Sequence, residues 1–408
     1  MSLDLTSFDS ALKAHYTADR VLDLVYKDNP LFAIMPKYEE FTGKNLPIVM
    51  IHGNPQGRSK TFTNAQTRGN VTSSLVKDFV LTRVQDYSLA TIDNETLEAS
   101  KGSAGAFMEA ATTEIDGAIN ALTRSIAIGM YRDSSAEIGQ VSAEPSTAGT
   151  TTVTLKSPGD VTNFELDQIV NIWSAKSGGS QKSSDGTITS FTITAVDRSN
   201  GTFTASAAYD ASGTIAADDF IFVEGDRGLG ISGLAGWVPE TAPSATPFFG
   251  VDRSVDTQRL GGVRHDGSAQ PIDEALIDGA SAAAREGGKV DHAFLSYKQY
   301  AALEKALGSK VQYVDLRQSA EVGFRGIEVN GPRGMIKVIP DQNCPDDTCY
   351  MLQMDTWKLY SLGKAVRSTS ADGLDMLRQA AADGVEVRYA FYGNVGCKAP
   401  GWNVNVKL

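Results

Sequence analysis

Apolar positions recur at three- or four-residue steps from Ala104 to Arg132, where Phe107, Ala111, Ile115, Ala118, Leu122, Ile126 and Met130 form one stripe. That spacing predicts an amphipathic helix, about 43 Å long at ~1.5 Å per residue. Such a rod is long for a globular enzyme and typical of an architectural spine. Phe8 to Tyr26 carries the same period through Leu12, Tyr16, Val21, Leu22 and Val25. Asn29-Pro30 is expected to stop that helix, because the residue before a proline avoids the α region, and Pro36 and Pro47 bracket an extended piece. Further on, Pro271 to Glu286 reads as a helix ending at Gly287-Gly288. Ser296 with Gln299 makes a capping-box pattern for a helix faced by Tyr300, Leu303 and Leu307 and stopped by Gly308.

Elsewhere the period shortens to two. Ile48-Val49-Met50-Ile51 and Phe79 to Val84 look like strands. Between them the polar run Ser59 to Ser74 is relieved only by Phe62, Ala65 and Val71. Two strands flanking such an excursion predict a hairpin arm, which cannot bury an apolar face alone. Ser134 to Gly228 is dominated by Thr, Ser, Gly and Val, with alternation at Val153/Leu155 and Phe191/Ile193/Ala195. Asp185-Gly186 and Asn200-Gly201 favour the positive-φ turns of tight hairpins, so a separate all-β domain is expected there. From Leu229 helices and strands alternate. Val290 to Leu295 is a strand; Ile327-Glu328-Val329 turns at Asn330-Gly331-Pro332 and pairs with Met335 to Ile339; Tyr350 to Met354 and Trp357 to Tyr360 follow. Val385, Val387, Tyr389 and Phe391 alternate with Glu386 and Arg388, predicting a strand with one buried face. The fold class is α+β.

Of the 408 residues 41% are apolar and 21% charged, which permits a packed core and excludes wholesale disorder. At ~100–200 residues per domain, two or three folded units are expected. No apolar run is long enough to span a bilayer, and Met1-Ser2-Leu3-Asp4-Leu5 does not open like a signal peptide. Three cysteines, Cys344, Cys349 and Cys397, point to a reducing compartment. The formal charge of −12 argues against a protein that is mainly a nucleic-acid binder. That charge is sorted, however. Lys44 to Lys77 holds five bases and no acid; Glu137 to Arg227 holds twelve acids and five bases. Outside the arm the chain therefore carries −17, and segments with different surroundings are expected.

Candidate chemistry is thin. Gly228-Leu229-Gly230-Ile231-Ser232-Gly233 spells G-x-G-x-x-G, but Gly236, Pro239 and Pro243 leave no room for the helix that a dinucleotide site needs. A glycine-rich hinge is the better reading. Cys344-Pro345-Asp346-Asp347-Thr348-Cys349 lacks the remaining ligands of a structural zinc site and reads as a strand-connecting loop. His15, His52, His265 and His292 show no ligand spacing, and no G-x-S-x-G elbow or Walker loop is present. Asn70-Val71-Thr72, Asn94-Glu95-Thr96 and Asn200-Gly201-Thr202 are sequons of little weight without a secretion signal. No catalytic, metal or cofactor site is expected.

The order of parts resembles the major capsid proteins of tailed bacteriophages, the Hong Kong ninety-seven-type fold. The resemblance rests on Ala11 to Met35 with Asp28-Asn29-Pro30-Leu31, on Leu46 to Val84, on Ala104 to Arg132, on the strand-then-helix segment Asp291 to Ser296 through Tyr300 to Leu303, and on Trp357 to Tyr360. It implies an N-terminal arm over 1–45, an extended loop and peripheral strands over 46–93, a spine helix in 94–133 and an inserted β-rich domain over 134–228. A return to the peripheral domain over 229–259, an axial domain over 260–370 and closing C-terminal strands over 371–408 complete it. It further implies a subunit of hexamers and pentamers in an icosahedral shell that encloses double-stranded DNA without reading its sequence. Scaffolding, portal and decoration proteins would be its partners, the virion its location and the host cytoplasm its place of assembly. The extended loop would lie across a neighbouring subunit, placing Arg58, Lys60, Phe62, Arg68 and Lys77 in the interface. Some members join subunits by a Lys–Asn isopeptide bond; Lys60 lies on the arm, but nothing identifies an acceptor and no cross-link is predicted. The long N-terminal helical extension that serves some members as scaffold is not seen, so a separate scaffold or prior cleavage is expected. Two other readings are an encapsulin-like cargo shell, which shares the fold, and an enzyme with an appended carbohydrate-binding β-module.

Overall fold

The structure is a computed structural model that describes residues 29–93, 104–143, 151–183, 189–207, 215–307, 313–316, 324–369, 376–379 and 383–408, with side chains left aside at 104–111, 313–316, 324–325 and 376. The expected helix at Phe8 to Tyr26, the Asp185-Gly186 turn and the Gly308 stop lie outside these residues.

The spine helix runs Ala104–Tyr131. Ile115, Ala118, Leu122, Ile126 and Met130 of the predicted stripe are buried, and Ile119 and Ala127 widen it. The helix packs on a six-stranded sheet organised around the long strand Gly384–Cys397. That strand pairs antiparallel with Val84–Asp93 over ten residues on one edge, and with Trp357–Ser361, Arg367–Ser368 and Met376–Arg378 on the other. Its alternation predicted one buried face; on the other face Arg388 is exposed as expected, but Glu386, Ala390 and Asn394 are buried as well. Val385, Val387, Tyr389 and Phe391 belong to the main core. The other face is covered in part, because Ala390 is small and Asn394 satisfies its neighbours. Asn394 Oδ1 accepts the Ser232 N–H at 2.9 Å and its Nδ2 donates to Thr82 O at 2.9 Å.

A second, seven-stranded sheet runs in the order Val263–Asp266, Val404–Lys407, Thr348–Leu352, His292–Leu295, Gly334–Pro340, Phe324–Gly331, Tyr313–Leu316. Helices Ile272–Arg285 and Tyr297–Leu307 contribute Leu276, Ala280, Ala283 and Leu303 to its core. Asp273 and Glu274 in the first turn and Arg285 in the last oppose the macrodipole of the former. The capping box at Ser296 is half formed. Ser296 Oγ accepts the Gln299 N–H at 3.4 Å, but the Gln299 side chain donates to Asp346 O at 2.7 Å instead of reaching back. The hairpin turn falls at Pro332-Arg333, with Gly331 opposite Gly334, slightly later than predicted. Pro30 starts a short helix, Pro30–Ile34, behind Asn29 at φ −123° and ψ 85°, since proline suits the first helical position.

The described residues between 137 and 223 form a closed β-barrel. Its strands follow the order Glu137–Gln140, Phe220–Val223, Ile169–Trp173, Ser190–Asp197, Thr202–Ala205, Thr152–Thr154. A bridge between Val141 and Leu155 joins the last strand to the first. The Ser142 N–H donates to Thr154 O at 2.8 Å and the Lys156 N–H to Gln140 O at 2.9 Å. Closure removes the edges on which an open sheet would pair with other chains. Phe164 and Phe203 stack at 4.8 Å inside a core of Val153, Leu155, Val170, Ile172, Phe191 and Ile221. Asn200-Gly201 does sit in a hairpin turn, with Gly201 at φ 65°, but the loop is wider than the dipeptide. Asp197 Oδ1 caps it by accepting the N–H groups of Ser199 at 2.9 Å and Asn200 at 3.2 Å.

The end of the spine helix joins these bodies. Tyr131 Oη donates to the buried carboxylate of Asp341 at 2.8 Å, which also accepts the N–H groups of Leu31 at 3.3 Å and Asn343 at 2.9 Å. Its neighbour Arg132 reaches the barrel, pairing with Asp160 at 2.5 Å and Glu137 at 3.5 Å. Burial opposes the Arg132 charge, but Asp160 and Glu137 hold its pKa above the ordinary value.

Two expectations follow. A Cβ on Gly233 would lie 2.2 Å from Met130 O, whereas one on Gly117 meets nothing within 4 Å. Gly233→Ala should therefore destabilise the isolated subunit by at least ~1–3 kcal/mol, while Gly117→Ala stabilises it by ~0.5–1 kcal/mol, as read from urea midpoints. Burial raises the Asp341 pKa against the hydrogen bonds of Asn343, Tyr131 and Leu31. The folded state then holds a proton that the unfolded chain has released, so this site's contribution falls as pH rises from 3.8 through the raised value. The stability difference between wild type and Asp341→Asn should fall over that range in urea titrations; a flat difference would contradict the assignment.

Candidate assembly interface

The arm consists of Asn45–Gly53 and Leu75–Thr82, paired antiparallel with Ile48 opposite Phe79 and Ile51 opposite Val76. Successive strand residues face opposite sides. Ile48, Met50, Phe79 and Leu81 form a buried inner row within the main core. Phe79 meets Trp237 at 5.1 Å and Phe248 at 6.5 Å between ring centroids. The outer row carries exposed Val49, Ile51, Val76 and Val80, with exposed Asp78 among them opposite Val49. The root is held by backbone carbonyls: the Val80 N–H donates to Phe249 O at 2.9 Å and Arg259 Nη1 to His52 O at 2.8 Å.

Beyond Gly53 the chain carries a helix, Phe62–Gly69, with no buried residue. Its stability is local. Thr72 Oγ1 donates to Arg68 O at 2.8 Å near its C-terminal end, and Arg68 lies in the last turn, where a cation complements the dipole. This helix was not expected from the sequence, because the polar run has no apolar stripe to reveal it.

Four of the five expected interface residues gather here. Arg58 and Lys60 lead into the helix, Phe62 opens it with 83% of its surface exposed, and Arg68 Nη1 donates to Arg58 O at 3.4 Å. Lys77 stands apart on the strand opposite Met50. It lies near Asp252, whose carboxyl is held low mainly by the Ser254 hydroxyl and N–H and more weakly by Lys77. Arg58, Lys60 and Arg68 make no ion pair among the described residues. By contrast Lys156, Lys176, Lys182 and Arg198 of the barrel all face carboxylates. The outer row Val49, Ile51, Val76, Val80 was missed, although the unbroken apolar run Ile48 to Ile51 signalled it: a strand with one solvated face alternates instead.

The remaining motifs are structural. Gly228 has φ 77°, and only the short helix Leu234–Trp237 follows the glycine-rich run. Cys344 sits in the loop between strands Gly334–Pro340 and Thr348–Leu352, and Cys349 in the latter. Burial pushes all three thiols up, Cys397 to about 12, which makes them poor nucleophiles. Among the described residues no group of three His, Cys, Asp or Glu is placed to hold a metal ion, and no helix is long and apolar enough to cross a membrane.

A cationic arm beside a long spine helix, on a body of two mixed sheets, is the phage capsid-type α+β fold, and that fold defines a class of shell-building subunits. The profile of the SU10 major capsid protein family matches residues 187–397, more than half of the chain, and the chain belongs to that family. It is a shell-forming capsid protein of the virion. Similar solved structures include the cyanophage A-1(L) capsid asymmetric unit, at 14% identity and TM-score 0.52 over 93% of this chain and 92% of that one. Others are Mycobacterium phage Bobi, at 9% identity and TM-score 0.40 over 93% and 90%, and the holo-SrpI encapsulin complex from Synechococcus elongatus PCC 7942, at 7% and 0.43 over 98% and 94%. No curated protein sequence matches the chain.

Because Phe62 touches so little of its own subunit, Phe62→Ala should leave the isolated subunit within ~0.5 kcal/mol of wild type in chemical denaturation. A larger loss would mean that the tip folds back on its own chain.

Proposed function

We propose that this chain is the major capsid protein of a tailed phage, forming the hexamers and pentamers of an icosahedral head around double-stranded DNA. In this reading the extended loop, Leu46 to Val84, lies across a neighbouring subunit, the rest of 46–93 is a peripheral strand, and 134–228 are an insertion between peripheral parts. Residues 260–370 form the axial domain, and 371–408 close the body. Assembly occurs in the host cytoplasm with scaffolding, portal and decoration partners. The protein has no catalytic role.

The observation that carries this reading is the arm, mostly apolar on its outer row and cationic at a tip that forms no ion pair among the described residues. Exposed apolar rows of this kind mark interaction sites, and burying Val49, Ile51, Val76 and Val80 would contribute roughly 1.5–3 kcal/mol each. The five bases from Lys44 to Lys77 meet copies whose other parts carry −17. Complementary potentials of this kind steer encounter and set register more than they add affinity. An acidic shell also suits DNA packaging, since a strongly cationic lining would bind the genome and hinder its release.

Reversing Arg58, Lys60 and Arg68 to glutamate should abolish closed shells in electron microscopy while circular dichroism shows a folded subunit. Normal shells from that variant would refute the arm's role. Wild-type particles filled with an enzyme instead of nucleic acid would favour the encapsulin-like reading.

A further inference from the structure

Near the root of the arm lies a pair of arginines without a counter-ion. Arg253 is 8% exposed, and its Nε has no hydrogen-bond partner. Its Nη1 donates to the carbonyls of Gly236 at 2.8 Å and Trp237 at 3.2 Å, and its guanidinium lies 4.0 Å over the Phe248 ring. Arg264 is partly exposed and donates to Thr257 O at 3.0 Å and Gly261 O at 3.3 Å. It sits on Val263–Asp266, the edge strand of the seven-stranded sheet.

Among the described residues no carboxylate pairs with either arginine. The acids close by in sequence are engaged elsewhere. Asp252 accepts the Ser254 N–H and hydroxyl. Asp256 accepts the Arg259 N–H, Asp266 binds Ser268, and Glu240 pairs with Lys407 at 2.6 Å. Burial, and then the charge of Arg264, lower the Arg253 pKa to about 10. Carbonyl dipoles satisfy the donors of this pair in part but do not neutralise it, and a buried charge without a partner is strongly unfavourable.

We propose that Arg264, the more exposed of the two arginines, is a socket for an acidic side chain from a second copy of this chain. The inference rests on self-assembly but not on the arm's docking. The occupant is argued from charge: each copy carries −12 overall and −17 outside Lys44 to Lys77, so a neighbouring copy is rich in carboxylates that complement Arg264. Neutralisation on assembly would couple packing of neighbours to relief of repulsion within each subunit.

The test uses the full chain as wild type, Arg264→Gln and Arg264→Lys. Arg264→Gln should keep the unfolding midpoint of the free subunit, because losing two carbonyl contacts is offset by losing repulsion with Arg253. Its shell yield at fixed concentration should nevertheless fall roughly tenfold or more, with partial recovery in Arg264→Lys. A cryo-electron microscopy map of wild-type shells should show a neighbour's carboxylate against Arg264. Wild-type yield and salt tolerance in Arg264→Gln would overturn the socket. So would a map in which a free phosphate, a chloride, nucleic acid or open solvent faces Arg264. Failure of wild type to form any shell would overturn self-assembly itself.

Discussion

The structure depends on what happens at the last turn of the spine helix, where adjacent side chains are committed to different bodies. Tyr131 is drawn into the seven-stranded side by Asp341, and Arg132 into the barrel by Asp160 and Glu137. Adjacent helical positions diverge by about 100° around the axis, so one helix end can hold two neighbours without either contact competing. Gly233 completes the arrangement by letting the outgoing chain lie against the Met130 carbonyl. Buried polar contacts of this type contribute little net stability compared with apolar packing. Here they set register, since a helix slipped by one residue would exchange the roles of Tyr131 and its neighbour.

Much of this architecture was legible in the sequence wherever one side chain period dominated. The stripe from Ile115 to Met130 announced the spine helix, and the Asn-Gly and Pro-Arg turns fell at or near the expected hairpins because backbone stereochemistry is local. What escaped was set by tertiary context. Glu386 looks solvent-facing beside Val385 and Val387, yet it is buried and paired with Arg388 within a sheet whose second face is partly covered. Barrel closure through Val141 and Leu155 joins positions whose sequence shows only alternation. The tip helix carries no apolar signature because nothing within the subunit packs on it. Of the candidate interface, the charges could be read directly from Lys44 to Lys77, whereas the apolar outer row could not be separated from the inner one until pairing assigned each residue a face.

Charge is deployed in two distinct ways. In the barrel Lys156, Lys182 and Arg198 face carboxylates of the same domain, and Asp160, Glu137 and Glu165 also take arginines of the spine-helix end. Among the described residues Arg58, Lys60, Arg68, Arg253 and Arg264 face no carboxylate. A solitary subunit is thus electrostatically incomplete at two places near one another in the fold, the arm and its root. Incompleteness of this kind favours association over the monomer while salt can still weaken the exposed part.

The barrel leaves and rejoins the body through a narrow neck, where the Gly228 N–H donates to Ser135 O at 2.8 Å and the Gly230 N–H to Ser134 O at 3.2 Å. Topologically it is a cassette: its two connections are zipped together, so a different folded unit could be spliced at the same neck without moving the ends. Chemically it is not neutral cargo. The buried Arg132 of the body has its carboxylates on the barrel side. Any graft at this neck, whether made by recombination between phages or at the bench for surface display, must bring an acid to that guanidinium.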